Sequence, residues 1–393
     1  MRIVNFIFLL FALLASCQSP KDKAKAEEKF SWNAGISAPK NYPAVPSVEF
    51  LYEGESVAGA STSIGGAQGW GVTMGGFTGG DVFKPVPDSV FVKWNCGFDL
   101  IEYEGGFKLP RKKMLELFSK GIIDPFNGRK EDYTVLVAGT APGGNVTIWM
   151  QASGINTEII KFKAKKISQD GRYEPHSVSL WTSTGQEAKD ILKYINFHGI
   201  PYKVWETGEK EYKYDIGFST EEESKKNIGM AITGFCKDGS IIYSNEDPMP
   251  YVKWNENIQL KVSKNKKLPV HFYMQWISQD NQEWYEAEIV LPNDLDNQLA
   301  EFQKKYGNNV FIIVGMDKVL QNNPYTFGRI RLENSNGKNE IMKFRAAKLN
   351  LSKTRIKKYE VSKYSLPKDF IFPTWEKGKE PLTTPDVDYW QEK

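Results

Sequence analysis

The sequence predicts a mainly β protein of the α+β class, made of two tandem copies of an antiparallel sheet or sandwich unit, each with one packed helix. Three observations carry that expectation. One register recurs through four separated blocks: Trp94 and Trp276, Pro110 and Pro292, Lys161-Phe162-Lys163-Ala164 and Lys343-Phe344-Arg345-Ala346, and Gly35 and Gly217 each lie 182 positions apart. Composition is 13 % aromatic with 33 Gly and 20 Pro, which favours strands and turns over bundled helices. Each copy also repeats one order of elements, strand, strand, helix, hairpin and strand, which suits a sheet covered by a single helix.

Taken in order, Phe30 to Ser37 alternates like a strand and runs into the proline-punctuated loop Ala38-Pro39-Lys40-Asn41-Tyr42-Pro43. Val48 to Tyr52 reads as a second strand. The run Gly65 to Gly80, with Trp70 inside it, is too rich in glycine for an assignment to helix or strand. Ser89 to Trp94 alternates strongly and Tyr103 to Leu109 follows it. Pro110 then opens a helix whose apolar face is Met114, Leu115, Leu117 and Phe118, and Gly121 ends it. Tyr133 to Gly139 and Val146 to Gln151 form a hairpin over Ala141-Pro142-Gly143-Gly144, where Pro-Gly suits a type II turn. Ile159 to Ile167 completes the set.

A short helix is expected over Gln186 to Asn196. Val204-Trp205-Glu206-Thr207-Gly208 is echoed by Thr374-Trp375-Glu376-Lys377-Gly378, so each copy is expected to end on the same extension. That places the first unit at residues 30–212 and the second at 213–393, each long enough to bury its own core. In the second copy Leu295, Leu299, Phe302 and Tyr306 make an amphipathic stripe. Val310 to Gly315 matches the strand at Thr134 to Gly139 with an offset of 176, six fewer than elsewhere. The missing positions fall in the loop Ile122 to Asp132, where a deletion is tolerated.

The N-terminus carries an address. After Arg2, a short apolar run ends in Leu14-Ala15-Ser16-Cys17, too short to span a bilayer, which needs roughly 20 apolar residues. It reads as a secretory signal over residues 1–16. The ending resembles the bacterial lipobox, which implies lipidation of Cys17 and attachment to a membrane through that lipid. Residues 17–29 form a polar, flexible tether. Gln18 stands where an Asp would imply retention at the inner membrane, so the outer membrane is expected, on its periplasmic face or at the cell surface. Of the other two cysteines, Cys96 and Cys236, a pair is open but buried free thiols are expected.

With 51 basic and 48 acidic residues the charge is close to balance, which argues against a nucleic-acid surface. The three histidines, His176, His198 and His271, have no metal-ligand spacing, so neither a metal nor a cofactor is expected. Gly66-x-x-Gly69-x-Gly71 lacks the helix start that a phosphate loop requires. Glu102 and Glu104 lie two apart on a strand, and Glu286 and Glu288 echo them; a solvated strand face explains both pairs as well as glycoside hydrolysis does.

The opening Phe30 to Pro43, the glycine run through Trp70, the Leu109-Pro110 helix and the turn Ala141 to Gly144 together resemble the uncharacterised bacterial lipoproteins grouped as domain of unknown function 2931. The second copy departs from that pattern, with Gly315-Met316-Asp317-Lys318 in place of the turn and no glycine run. The resemblance implies a lipid-anchored exported protein and supplies no catalytic residues. The expected role is a non-catalytic binding protein with a protein or glycan partner. The alternatives are an immunity protein against a secreted toxin, or a carbohydrate-binding or carbohydrate-acting envelope protein. Only the first copy keeps the glycine run, so Gly69, Trp70 and Gly71, with Pro142, Gly143 and Gly144 of the turn, are the candidate contact residues. There Trp70 is expected to be an exposed apolar anchor.

Overall fold

A computed structural model describes residues 28–62, 68–74, 76–77, 81–96, 101–124, 128–167, 194–195, 198–220, 230–243, 265–278, 283–316 and 325–349. Cys17, most of the helix expected from Gln186, and the C-terminal motif around Trp375 lie outside these residues. The chain is mainly β, and it divides into two compact units, residues 1–175 and 176–393.

In the first unit the main strands are β1 (Asn33–Ser37), β2 (Ala44–Tyr52), β3 (Glu55–Ser61), β4 (Ser89–Cys96), β5 (Ile101–Lys108), β6 (Val135–Ala141), β7 (Asn145–Ala152) and β8 (Ile155–Lys163). One sheet runs β8-β7-β6-β1, antiparallel except for the parallel pair β6 and β1. The other runs β5-β4-β2-β3, extended at its two ends by Lys165–Lys166 and Gly76–Phe77. Alternation decides what each strand buries. Ala34, Ile36, Leu136, Ala138, Ile148 and Met150 of the first sheet share one core with Val48, Phe50, Val90, Val92 and Trp94 of the second. The unit is therefore a two-sheet sandwich, with aromatic contacts tying it together. Trp94 stacks on Tyr103 at 5.1 Å, and Phe107 of one sheet stacks on Phe162 of the other at 4.2 Å.

Helix α1 (Arg111–Lys120) starts directly after Pro110 and stops at Gly121, whose N–H bonds the Leu117 carbonyl. Met114 and Phe118, four apart, are its buried side chains, and Phe118 stacks on Phe30 at 5.0 Å. Its first turn is held by the Arg111 Nε donating to the Val86 carbonyl at 3.0 Å.

The second unit repeats this pairing plan. Its main strands are β9 (Asp215–Thr220), β10 (Met230–Cys236), β11 (Ile241–Tyr243), β12 (Pro269–Ser278), β13 (Glu283–Val290), β14 (Phe311–Met316), β15 (Tyr325–Asn334) and β16 (Gly337–Leu349), with helices α2 (Tyr202–Thr207) before them and α3 (Leu295–Tyr306) between β13 and β14. Trp276 pairs with Tyr285 as Trp94 pairs with Tyr103, and β9 runs parallel to β14 as β1 does to β6. Even a lysine is repeated: Lys84 lies over the Trp32 ring and Lys266, 266 − 84 = 182 positions on, over that of Tyr214.

Two differences separate the copies. In the second, these eight main strands form one sheet, ordered β9-β14-β15-β16-β13-β12-β10-β11, because β16 runs unbroken from its pairing with β15 to its pairing with β13. In the first, the equivalent strand is interrupted at Ala164, whose N–H bonds the Gly144 carbonyl at 2.8 Å. Offsets locate the length change. Val135 pairs with Gln151 and Phe311 with Glu333, so the offset passes from 311 − 135 = 176 to 333 − 151 = 182 across the hairpin. The second hairpin is six residues longer, and this restores the register.

The boundary also differs from the expected Tyr212. Residues 198–212 belong with the second unit, because Trp205 donates its indole N–H to the Asp238 carbonyl at 2.9 Å and His198 lies against His271. The Trp205 motif thus precedes the second sheet instead of finishing the first. Of the cysteines, Cys236 is a buried free thiol.

Candidate functional site

On the four-stranded sheet of the first unit, Gly35, Ser37, Val137, Gly139, Thr147, Trp149 and Gln151 alternate with the core residues and so point away from the core. Residues 68–74 of the glycine run lie along the β1 edge of this sheet. Gly69 N–H bonds the Ala38 carbonyl at 3.2 Å, Met74 N–H bonds the Ile36 carbonyl at 2.7 Å, and Ile36 and Met74 form an antiparallel bridge. Ser37 fastens the turn between them: its hydroxyl donates to the Gly69 carbonyl and accepts the Gly71 N–H, both at 3.0 Å. The run covers an otherwise open strand edge.

Trp70 does not stand exposed. It is 9 % exposed and meets Trp149 edge-to-face at 4.9 Å, above Gly139. A Cβ on Gly139 would come within 2.8 Å of both indoles. The glycine on β6 is the seat of the aromatic pair, and burial of two large rings is the physical reason for the correction. What remains at the surface beside them is Val72, 42 % exposed, with a polar chain running past it. Thr73 Oγ1 donates to Gln151 at 2.9 Å, the Gln151 amide donates to Asn156 at 3.1 Å, and Asn156 donates to the Gly71 carbonyl at 2.8 Å.

The turn residues lie three positions past Gly139. Gly143 has φ 77° and ψ 17°, as position three of a type II turn requires, and the Asn145 amide donates back to the Pro142 carbonyl at 2.8 Å. Pro142 and Gly144 are buried and Gly143 is half-buried. The loop and turn thus share one end of the sheet, each held by its own partners.

The second copy differs on the equivalent face. Arg331 and Glu333 replace Trp149 and Gln151, 182 positions on, and the Arg331 Nε donates to the buried Glu333 carboxylate. Lys338 reaches the same carboxylate at 3.0 Å. The hydroxyl of Ser219, the counterpart of Ser37, is buried with no hydrogen-bond partner among the described residues. The serine belongs to both copies; the glycine run that engages it in the first is missing from the sequence of the second.

Glu102 and Glu104 do share the outward face of β5, opposite Asn95 and Lys93. Lys93 pairs with Glu102 at 2.9 Å, and these carboxylates hold its amine above the ordinary lysine range. An exposed cross-strand ion pair accounts for them. A groove of about 650 Å³ beside β3 is lined by Ser47, Glu49, Ser56, Ser61, Asp81 and Lys84. Lys84 donates to the Trp32 carbonyl at 2.7 Å, and burial lowers its pKa. Since Lys266 repeats the pose, this lysine belongs to the shared architecture.

The family model described as Protein of unknown function (DUF2931) matches residues 18–203. Those residues belong to DUF2931. No curated protein and no solved structure matches the chain. The DUF2931 region takes in the described residues of the first unit and continues past residue 175 into a segment that packs in the second unit.

Beyond the DUF2931 region lies a half-buried polar cluster around the buried Asp238 that the sequence did not reveal, because its members are spread over 59 positions, from Glu209 to Lys267. Lys267 pairs with Asp238, the Ser240 hydroxyl and N–H bond the other Asp238 oxygen, and Glu209 accepts the Asp238 N–H at 3.1 Å. Burial, then the Asp238 charge, push Glu209 up to about 8. A carboxyl raised in the folded state stabilises below its unfolded pKa near 4.5 and loses that contribution as pH rises towards 8. The stability advantage of wild type over Glu209→Gln should therefore shrink between pH 5 and pH 8. Urea midpoints of both proteins at three pH values check this; a constant difference would show that Glu209 is not protonated in the fold.

Proposed function

We propose that this chain is a lipid-anchored protein of the cell envelope, attached through Cys17 and probing its surroundings by binding, without catalysis. The contact surface is the first unit's outer face around Val72 and the Thr73-Gln151-Asn156 chain. The observation that carries this reading is the difference between the copies. Both keep the same strand pairing; the first lays a glycine turn and an aromatic pair on this face, whereas the sequence of the second has no glycine run and carries Arg331 in place of Trp149. A requirement of the scaffold alone would act on both. The anchor is supported by Leu14-Ala15-Ser16-Cys17, with the family match beginning at the next residue, and Gln18 supports the outer membrane. The ion pairing of Glu102 supports a binding role over glycoside hydrolysis.

The test has two arms. Cys17→Ala should lose label from a fatty-acid analogue and leave the membrane fraction; equal labelling of wild type and variant overturns the anchor. Val72→Asp should keep the thermal midpoint within a few degrees and lose partners cross-linked in the native envelope or glycans bound on an array. Retention of every wild-type partner and glycan overturns the surface.

A further inference from the structure

The sequence separates His198 from His271 by 73 positions, and the fold brings them together. His198 lies four residues before α2; His271 lies on β12, in the interior of the second unit's sheet. Their Nε2 and Nδ1 atoms are 3.3 Å apart, with side chains belonging to residues only 2 % and 6 % exposed. Tyr194 packs on both rings, at 4.3 Å from His198 and 5.4 Å from His271. A contact of that length between two ring nitrogens needs one to donate and the other to accept, so at least one imidazole is neutral.

Opposite His271 across the sheet stand Phe235 on β10, with its ring 5.9 Å away, and Val290 on β13. The titratable groups at the other end of the segment, Glu209, Asp238 and Lys267, are engaged with one another around Trp205. Burial lowers both imidazoles, His271 to about 3, and for His198 the second ring adds to the effect.

The segment His198–Thr207 also carries Ile200 and Trp205, both buried. It is tied down at His198 by the ring pair and at Trp205 by the bond to Asp238. We infer that the His198–His271 pair is an acid-sensitive latch, closed at neutral pH, whose proton uptake loosens the segment His198–Thr207 from a sheet that stays folded.

The sign follows from where protons bind. The open form has ordinary imidazoles, near 6.5, while the closed form excludes the proton, so protons accumulate on the open form below pH 6.5. From pH 7.5 to 5.5 the opening equilibrium should rise about tenfold for one released imidazole and about a hundredfold for two.

Hydrogen exchange of the full chain, corrected for the intrinsic pH dependence of the amide reaction, reads this directly. Protection of residues 198–207 should fall by at least tenfold between pH 7.5 and 5.5 while that of 271–274 is retained. His198→Phe with His271→Phe should remove the pH dependence of the segment. Equal loss in both regions, unchanged protection of the segment, or an unaltered dependence in the double variant overturns the latch. If the double variant does not fold, ring-nitrogen NMR of wild type decides. Both imidazoles should stay neutral in the closed form and titrate together with the loss of protection. An imidazolium at pH 6.5 with the segment still protected overturns the proposal.

Discussion

Trp94→Ala should cost the first unit about 3–5 kcal/mol, the range for emptying a fully buried indole site. Trp94 is buried on β4, an interior strand flanked by β2 and β5, where its backbone neighbours are Pro46 and Tyr103. Its ring stacks on Tyr103 with the planes 26° apart. Removing it leaves a cavity between two hydrogen-bonded neighbours, which cannot close in without disturbing the ladder. Chemical denaturation followed by near-ultraviolet circular dichroism measures the loss, and Trp94→Phe should recover part of it. A Trp94→Ala variant within 1 kcal/mol of wild type would mean that the sheet relaxes around the site far more than its pairing suggests.

Gly144→Val should be the second severe change, costing about 2–5 kcal/mol from backbone strain and overpacking together. Gly144 sits at φ +80°, and a Cβ there would stand 2.7 Å from the Ala164 carbonyl and 3.2 Å from the Tyr103 ring. Gly154 provides the control, since it has φ +79° and open space where its Cβ would be. Gly154→Ala should therefore show the strain alone, about 1–2 kcal/mol. Equal losses at the two sites would place the whole effect in the dihedral and none in the contact with Ala164. Thermal and urea unfolding of the paired variants separate these terms.

The ladders were legible because period-two alternation is a local signal: Val90, Val92 and Trp94 face one way and Phe91 and Lys93 the other, whatever lies beyond them. The repeat then supplied the pairing of one copy from that of the other. The turn at Pro142-Gly143 was legible for the same local reason. Trp70 was not, because its partner Trp149 is 79 positions away and arrives only when β7 joins β6. A tryptophan among glycines looks bare until Gly139 is seen to leave room for it. The His198–His271 pair and the Asp238 cluster escaped for a related reason, since spacing rules address ligands on one helix or hairpin. The echo of the Trp205 motif near the C-terminus points to the other side of the boundary, because an echo in the sequence says nothing of what the indole N–H bonds.

The parallel pairing of β1 with β6 bears on how the chain acquires its structure. Asn33 is joined to Val135, and in the second unit Asp215 to Phe311, whereas every other long ladder among the described residues is antiparallel. The opening strand of each unit emerges first, yet it must wait about a hundred residues for its partner. Contacts that distant in sequence slow folding, because the loop must close before any bond rewards the closure. As the chain folds, β2 to β5 of the first unit can therefore collapse while Asn33–Ser37 is still unpaired. A chaperone able to shield a short apolar strand near the N-terminus would act at that stage, and the segment closest to the expected lipid would be among the last parts of the unit to be fixed in place.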